Sequence, residues 1–188
     1  MNESYVLLWS QDRVKWLRQV KDHGPFEVVF GGPHISQPSI DRLANGDIVY
    51  PVAVSKGRFF VIARLVVQEL LDPEEYVIRR IGVRPSDLSW NRFRSSLPDK
   101  GASVGHRAPW TCADLAACGQ GTEFVWDRAV APSELPELRF GPKEGRELPL
   151  KGIKDGIITS SLSLQGHMRR ASRETATILS RVVSGERS

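Results

Sequence analysis

Cysteine is nearly absent from this chain, with only Cys112 and Cys118 among 188 residues. Two cysteines cannot build the disulfide framework of a small secreted protein, and without a second Cys or His pair beside them they give no zinc signature. No run of 18 apolar residues occurs, so the sequence predicts no transmembrane helix. Residues 1–10 lack the basic and apolar regions of a signal peptide, and we therefore expect a cytoplasmic protein.

Motifs for several common chemistries are missing as well. The sequence contains no dinucleotide-binding GxGxxG, no metalloprotease HExxH and no hydrolase GxSxG motif. It shows no internal repeat, and 40% hydrophobic with 26% charged residues is typical of a globular protein. We therefore expect a globular domain without a cofactor or a metal, and these motifs assign no catalytic residue.

Positive charge is concentrated in one segment of the chain. The formal net charge is +4, but residues 77–107 alone hold seven basic residues against two acidic ones. Six of the seven are arginines, whose planar guanidinium groups suit phosphate better than an ammonium group does. Such local charge is typical of a surface that binds a polyanion. A solvated loop with scattered arginines is the alternative interpretation.

Apolar patterning predicts a mostly β chain with a few helices. Strands at 47–54 and 58–70, joined by Ser55-Lys56-Gly57, are expected to pair as an antiparallel hairpin. The other predicted elements are strands at 4–10, 26–30, 122–126, 135–140 and 156–164, and helices at 12–20, near 111–118 and at 172–183. The irregular stretch of about 72–120 is interpreted as a basic insertion. Residues 1–188 then form one α+β domain, a small, partly closed β-barrel with surrounding helices.

Residues 4–70 hold a recognisable order of elements. A strand ending in Leu7-Leu8-Trp9-Ser10 precedes a helix, then Gly24 and Glu27 lie ahead of a second strand, and Asn45-Gly46-Asp47 opens the hairpin. This order resembles the PUA-like superfamily, and within it the ASCH and EVE domains. The resemblance implies a PUA-like β-barrel that binds DNA or RNA and receives a modified or flipped base in a pocket.

Candidate binding residues follow from this resemblance and from the residue types. The superfamily places part of its pocket at the end of the first strand, which here holds Trp9 and Ser10. Tyr50 and Pro51 would present two rings from one strand, and Gly32 would let the backbone beside His34 approach a phosphate closely. Packing in the core or in an ordinary turn is the alternative for each.

Aromatic rings alternate with arginines in the basic segment, as in surfaces that stack unpaired bases and bind their phosphates. An amide between them can read a base edge. The residues concerned are Trp90, Asn91, Arg92, Arg94, His106, Arg107 and Trp110. A short helix whose aromatic side chains fill the core is the alternative.

The leading hypothesis is a nucleic-acid-binding module, with DNA and RNA both open as partners and with no membrane partner. The alternative is an ASCH-like ribonuclease or nucleoside amidohydrolase that uses Glu27 with His106 or His34. The enzymatic ASCH pattern resembles Gly-x-Lys-x-x-Glu-x-Arg, and the segment after Gly24 lacks its lysine and its arginine. A third hypothesis is a protein-interaction domain whose basic segment docks an acidic partner.

Overall fold

A computed structural model of the chain describes residues 2–32, 39–82, 105–107, 113–142, 144–160, 164 and 168–186. The helices are α1 (Gln11–Gln19), α2 (Pro73–Tyr76), which continues as a π-helical turn (Val77–Ile81), and α3 (Arg173–Ser184). The strands are β1 (Ser4–Leu8), β2 (Val28–Gly31), β3 (Ile48–Ser55), β4 (Arg58–Val61), β5 (Leu65–Leu71), β6 (Leu115–Gly121), β7 (Arg139–Gly141), β8 (Leu148–Pro149), β9 (Ile153–Lys154), β10 (Ile157–Ile158) and β11 (Arg169–Ala171). Two 3-10 turns lie at Gly105–Arg107 and Leu135–Glu137.

Nine of the strands form one mixed sheet, which makes the described chain a strand-rich α/β structure. The order is β2-β6-β5-β3-β1-β11-β7-β8, with β4 also paired to β3. β1 and β3 run parallel, and the other pairs in the sheet are antiparallel. Within the described ranges the outer strands β2 and β8 do not pair with each other, so no closed barrel is found there.

Alternation along the central strands places apolar side chains on both faces of the sheet. In β1, Tyr5 and Leu7 enter a core that includes Leu17 of α1. Val6 points to the other face, into a core that includes Leu179 of α3. A third cluster lies between β2, β6 and α2, where Tyr76 is buried. The two long helices therefore cover opposite faces of the sheet.

The predicted antiparallel hairpin is confirmed, with one difference. β3 and β4 pair through a Lys56-Gly57 turn, but the second strand ends at Val61 and resumes at Leu65 as β5. β3 changes partner from β5 to β4 at Pro51, whose carbonyl accepts a hydrogen bond from the Ile62 N–H at 2.9 Å. Proline has no N–H to donate, so it fits the point at which one ladder stops and the next begins. Pro51 thus lies in a central strand, not at an edge.

The segment near 111–118 is the clearest error of the sequence-based prediction. The helix expected there is wrong from Leu115 onward, where β6 pairs with both β2 and β5. Small residues such as Ala116 and Ala117 favour a helix in isolation, but tertiary pairing on both sides overrides that preference. Among the described residues, the strand expected at 122–126 is irregular chain, the one expected at 135–140 is represented by β7, and the one expected at 156–164 by the two residues of β10.

Both long helices are confirmed within a residue or two at each end. Ser10 caps α1 by accepting a hydrogen bond from the Arg13 N–H, and Ser172 caps α3 by accepting one from the Thr175 N–H. Serine caps of this kind satisfy donors that have no partner inside the helix. The insertion expected at about 72–120 has regular structure at both ends, in α2 and in β6.

Candidate functional site

One cavity of about 340 Å³ lies where the loop after α1 meets the 3-10 turn Gly105–Arg107. Its walls are the α1–β2 loop on one side and that turn on the other. The lining residues are Val20, Lys21, Asp22, His23, Gly24, Pro25, Glu27, Gly105, His106 and Arg107. The lining is thus mostly charged or polar, with both carboxylates, Asp22 and Glu27, on the loop side and with basic residues on both sides.

The way in which α1 ends shapes one wall of the cavity. The Lys21 N–H donates to the Arg18 carbonyl and the Asp22 N–H to the Leu17 carbonyl, at 3.2 and 3.0 Å. This is a Schellman motif, in which the residue after the C-cap adopts the left-handed conformation and is usually glycine. Here that residue is Lys21, with a φ of 56°. A lysine therefore occupies a position where a side chain is sterically unfavourable.

Asp22 is the hydrogen-bonding centre of the cavity. Its carboxylate accepts from the Gly24 N–H at 3.0 Å, from the His106 N–H at 2.5 Å and from His106 Nδ1 at 2.9 Å. Burial raises the pKa of Asp22, but the hydrogen bonds and charge of His106 outweigh burial, so that this pKa lies below its usual value. One carboxylate thus joins two segments that are 84 residues apart in the sequence.

His106 has both ring nitrogens engaged. Nε2 accepts a hydrogen bond from the Glu27 N–H at 3.1 Å, so the proton of a neutral ring lies on Nδ1, facing Asp22. The imidazole is 3% exposed. A ring held in this way orients the turn against the start of β2, and the geometry gives no support to His106 as the general base of a hydrolase.

Close packing beneath the cavity depends on one glycine and on a set of aromatic rings. A side chain at Gly105 would come within 2.1 Å of the Asp22 carboxylate, and the φ of Gly105 is 51°. Below the imidazole, the ring centroids of Phe26 and Phe124 lie 5.7 and 5.0 Å from that of His106. Aromatic rings therefore pack against the imidazole that lines the cavity.

The rim of the cavity carries mixed charge. Lys21 and His23 are exposed, and the Arg107 guanidinium lies 4.0 Å from the Glu27 carboxylate, with both groups partly exposed. Cations at the rim can bind an anion, while a half-exposed carboxylate can accept from an amino group. The arrangement suits a small ligand with a negatively charged end and a hydrogen-bond donor.

The structure brings two of the predicted site residues together at this cavity, His106 and Arg107. Trp9 lies one layer below, with its ring 5.5 Å from that of Phe26 and the Arg13 guanidinium 4.5 Å above it. Trp9 is only 5% exposed. In this structure it packs in the core that supports the cavity, and Ser10 caps α1.

The other predicted site residues lie elsewhere. Tyr50 belongs to the core on the opposite face of the sheet from Trp9, where burial raises its pKa and Ser180 is a hydrogen-bond partner. Pro51 and Gly32 are buried. Six predicted residues lie outside the described residues: His34, Trp90, Asn91, Arg92, Arg94 and Trp110.

The described members of the basic segment 77–107 are close to carboxylates. Arg79 lies 2.6 Å from Glu75, and Arg80 lies 2.7 Å from Glu69. Both pairs are well exposed, so each contributes little to stability. They nevertheless offset the positive charge of this end of the segment, which leaves Arg107 as the described arginine of the segment that lines the cavity.

Sequence reasoning missed Lys21, Asp22 and His23, which it treated as the end of a helix. One local signal was available, because an Asp two residues before a Gly is typical of an Asx turn. No local sequence pattern, however, predicts the contact between Asp22 and His106.

Within the described ranges no three His, Cys, Asp or Glu residues come together as a metal site would require. In the same ranges no helix has the length and apolarity needed to cross a bilayer.

Comparison with protein-family models, with curated proteins and with solved structures finds no match for the chain.

Proposed function

We propose that the chain is a nucleic-acid-binding module and that the cavity between the α1–β2 loop and the 105–107 turn takes one nucleotide of the bound strand. Ligand cavities usually measure about 300–1,000 Å³, and 340 Å³ suits one nucleotide-sized group. A nucleotide combines a phosphate, for Lys21 and Arg107, with base amino groups of the kind that carboxylates such as Glu27 accept from.

The observation that carries this proposal is the conformation of Lys21. Among non-glycine residues a positive φ is uncommon, and Asn, Asp and His adopt it more readily than Lys. The left-handed conformation costs about 1–2 kcal/mol for an L-residue. Such departures cluster at functional sites, where the surroundings hold them. Lys21 combines this cost with exposure at the rim of a polar cavity, which is the expected position for a cation that binds a ligand.

The order of elements supports a PUA-like fold as part of the same proposal. The chain runs β1, α1, β2 and then, after Gly46-Asp47, into the β3–β4 hairpin, with β3 parallel to β1. Gly24 and Glu27, which carried the resemblance in the sequence, both line the cavity. The proposed nucleotide site therefore coincides with residues that the resemblance singled out.

Substitution of glycine for Lys21 tests the proposal because two measured quantities should move in opposite directions. Lys21→Gly relieves the backbone cost and should raise the free energy of unfolding by up to about 1 kcal/mol. Loss of one charged contact should weaken binding of a fluorescent dinucleotide about tenfold. Anisotropy titration and urea denaturation on the same preparation measure both.

Lys56→Gly is the matched control, since Lys56 is also an exposed lysine with a positive φ, of 49°, and lies outside the cavity lining. It should stabilise the protein by a similar amount and leave dinucleotide affinity unchanged. Absence of dinucleotide binding to the wild-type protein, or equal affinity of the two variants, would refute the cavity as the nucleotide site.

A further inference from the structure

Two short hairpins form a second feature of the surface, away from the cavity. The β3–β4 turn packs against the β9–β10 hairpin, and the Ile158 N–H donates to the Gly57 carbonyl at 2.8 Å. A side chain at Gly57 would come within 2.0 Å of the Ile157 side chain. Close contact at this glycine therefore fixes the two hairpins side by side.

These hairpins carry exposed cations, and we call Lys56, Arg58 and Lys154 the cationic hairpin surface. The Arg58 guanidinium lies 5.1 Å from the centre of the half-buried Phe60 ring. In the part of the chain that the structure describes, none of the three cations forms an ion pair with a carboxylate. Asp155, in the second turn, is the acidic residue that these two hairpins carry. The surface thus has a net positive charge that the protein itself does not neutralise there.

Lys56 repeats the feature that distinguishes Lys21. Lys56 and Gly57 both have a positive φ, of 49° and 73°, which is the pattern of a type I′ turn. Asn-Gly or Asp-Gly is the preferred pair for such a turn. A lysine at its first central position makes the turn less stable than asparagine would, and it places a positive charge at the surface.

Helix α1 connects this surface to the cavity. At its first residue the Gln11 side chain donates to the Val54 carbonyl at the end of β3, and at its last turn the chain enters the cavity wall. The nine residues of α1 span about 14 Å. Lys15 and Arg18 are exposed between the two ends, at helical spacings that continue the face of Gln11. Exposed cations therefore lie along α1 between the hairpins and Lys21, and Asp12 in the first turn is the exposed carboxylate of this helix.

We propose that the cationic hairpin surface and the exposed face of α1 bind the phosphate backbone of a single strand of nucleic acid, one nucleotide of which occupies the cavity. This inference rests on the proposed function of the cavity and adds the course of the strand. The strand would thus contact Lys56 and Arg58 at one end, Lys15 and Arg18 along the helix, and Lys21 at the other end.

The test compares a dinucleotide with a single strand of about ten nucleotides, a length within the usual site sizes of such proteins. Lys56→Asn with Arg58→Ala removes two cations and places the preferred Asn in the turn, so the double variant should fold. Its affinity for the long strand should fall about tenfold or more, and the slope of log affinity against log salt should flatten by about 1.4, or 0.7 for each lost contact. Dinucleotide affinity should stay at the wild-type value.

Arg139→Ala with Arg146→Ala is the matched control, because both side chains are exposed cations on the β7–β8 hairpin. It should leave both affinities and the salt slope unchanged. Equal losses from the two double variants would overturn the inference, since they would mean diffuse attraction to net charge. If dinucleotide binding depends on Lys21 but the long strand binds no more tightly than the dinucleotide, the inference is also overturned, and the cavity remains the proposed nucleotide site. If the long strand binds in a way that depends on Lys56 but the dinucleotide does not bind at all, the cavity is not a nucleotide site. The proposed course of one strand from the hairpins to the cavity is then refuted as well.

Discussion

Substitution of Asp22 by Asn isolates the contact that assembles the cavity. The variant keeps the size of the side chain and one oxygen for the Gly24 N–H, but it presents an amide where the carboxylate accepts from two donors of His106. Both donors are buried, and the Asp22 side chain is 10% exposed. Each buried donor left without an acceptor costs about 1–3 kcal/mol. Two such donors together cost about 2–6 kcal/mol, and losses above about 4 kcal/mol are exceptional for a single substitution. We therefore expect Asp22→Asn to lower the free energy of unfolding by about 2–4 kcal/mol.

Thermal and urea denaturation measure this effect directly. For a chain of this length 1 kcal/mol corresponds to a shift of about 2–4 °C in Tm, so the melting temperature should fall by roughly 5–15 °C. Asp155→Asn is the control, since Asp155 is exposed and its φ of 51° suits asparagine. Its stability should stay within about 0.5 kcal/mol of the wild-type value. A loss as small as that in Asp22→Asn would refute the role given to the carboxylate.

The same contact predicts the direction of a pH dependence. Burial raises the pKa of Asp22 and the hydrogen bonds of His106 lower it further than burial raises it, so the folded-state pKa lies below the unfolded one. The stabilisation is then fully present above about pH 4 and is lost as the pH falls through the folded-state pKa. The stability difference between wild-type protein and Asp22→Asn should therefore shrink as the pH is lowered below about 4. A difference that stays constant down to about pH 2 would contradict this account.

Two further predictions concern the buried cluster beside α2. Burial raises the pKa of the Cys118 thiol to about 12. In a Cys112→Ser variant, Cys118 should therefore not react with a thiol reagent at pH 8 until the protein unfolds. Rapid labelling of the folded protein would show instead that the thiol is accessible. The buried Tyr76 hydroxyl has no hydrogen-bond partner among the described residues. Tyr76→Phe should therefore leave the free energy of unfolding unchanged or raise it by up to about 1 kcal/mol in urea denaturation, and a loss of more than about 1 kcal/mol would mean that the hydroxyl is bonded.

Local patterns in the sequence predicted the elements that local interactions determine. α1 and α3 each combine a serine cap with apolar residues at helical spacing, and the structure places both where that pattern indicates. The β3–β4 hairpin follows from a two-residue turn ending in Gly57 between β-branched runs. In each case the interacting residues lie within a few positions of one another, so their arrangement is readable from the chain alone.

The errors arose where distant residues decide the structure. The segment near 111–118 reads as helical by composition, and from Leu115 onward it is a strand because β2 and β5 flank it. Trp9 at the end of a strand suits a stacking platform as well as a core position. Rings from Phe26 and Phe124, which pack against it, decide between the two. Neither partner has a spacing to Trp9 that a sequence pattern could detect.

The cavity shows the same division. His106 and Arg107 were identified by residue type in a basic segment, whereas the residue that holds His106 in place, Asp22, is 84 positions away. Sequence reasoning therefore identified two residues of the cavity lining, and it expected His106 to contact a nucleic acid directly. The structure gives that residue a supporting role, since its ring bonds to Asp22 and to the Glu27 backbone.

The two lysines with positive φ make the strongest joint argument for a nucleic-acid surface. Natural proteins rarely reach their stability optimum, so a left-handed lysine far from any cavity or charged surface would carry little weight. Lys21 and Lys56, however, lie near the two ends of the same helix, and the exposed face between them carries Lys15 and Arg18. Folding alone gives no reason to place lysine at both turns, since glycine or asparagine would stabilise each. A polyanion that follows α1 would contact both lysines, which gives one reason for both positions. Affinity for a long strand should then depend on Lys21 and Lys56 together, whereas affinity for a dinucleotide should depend on Lys21 alone.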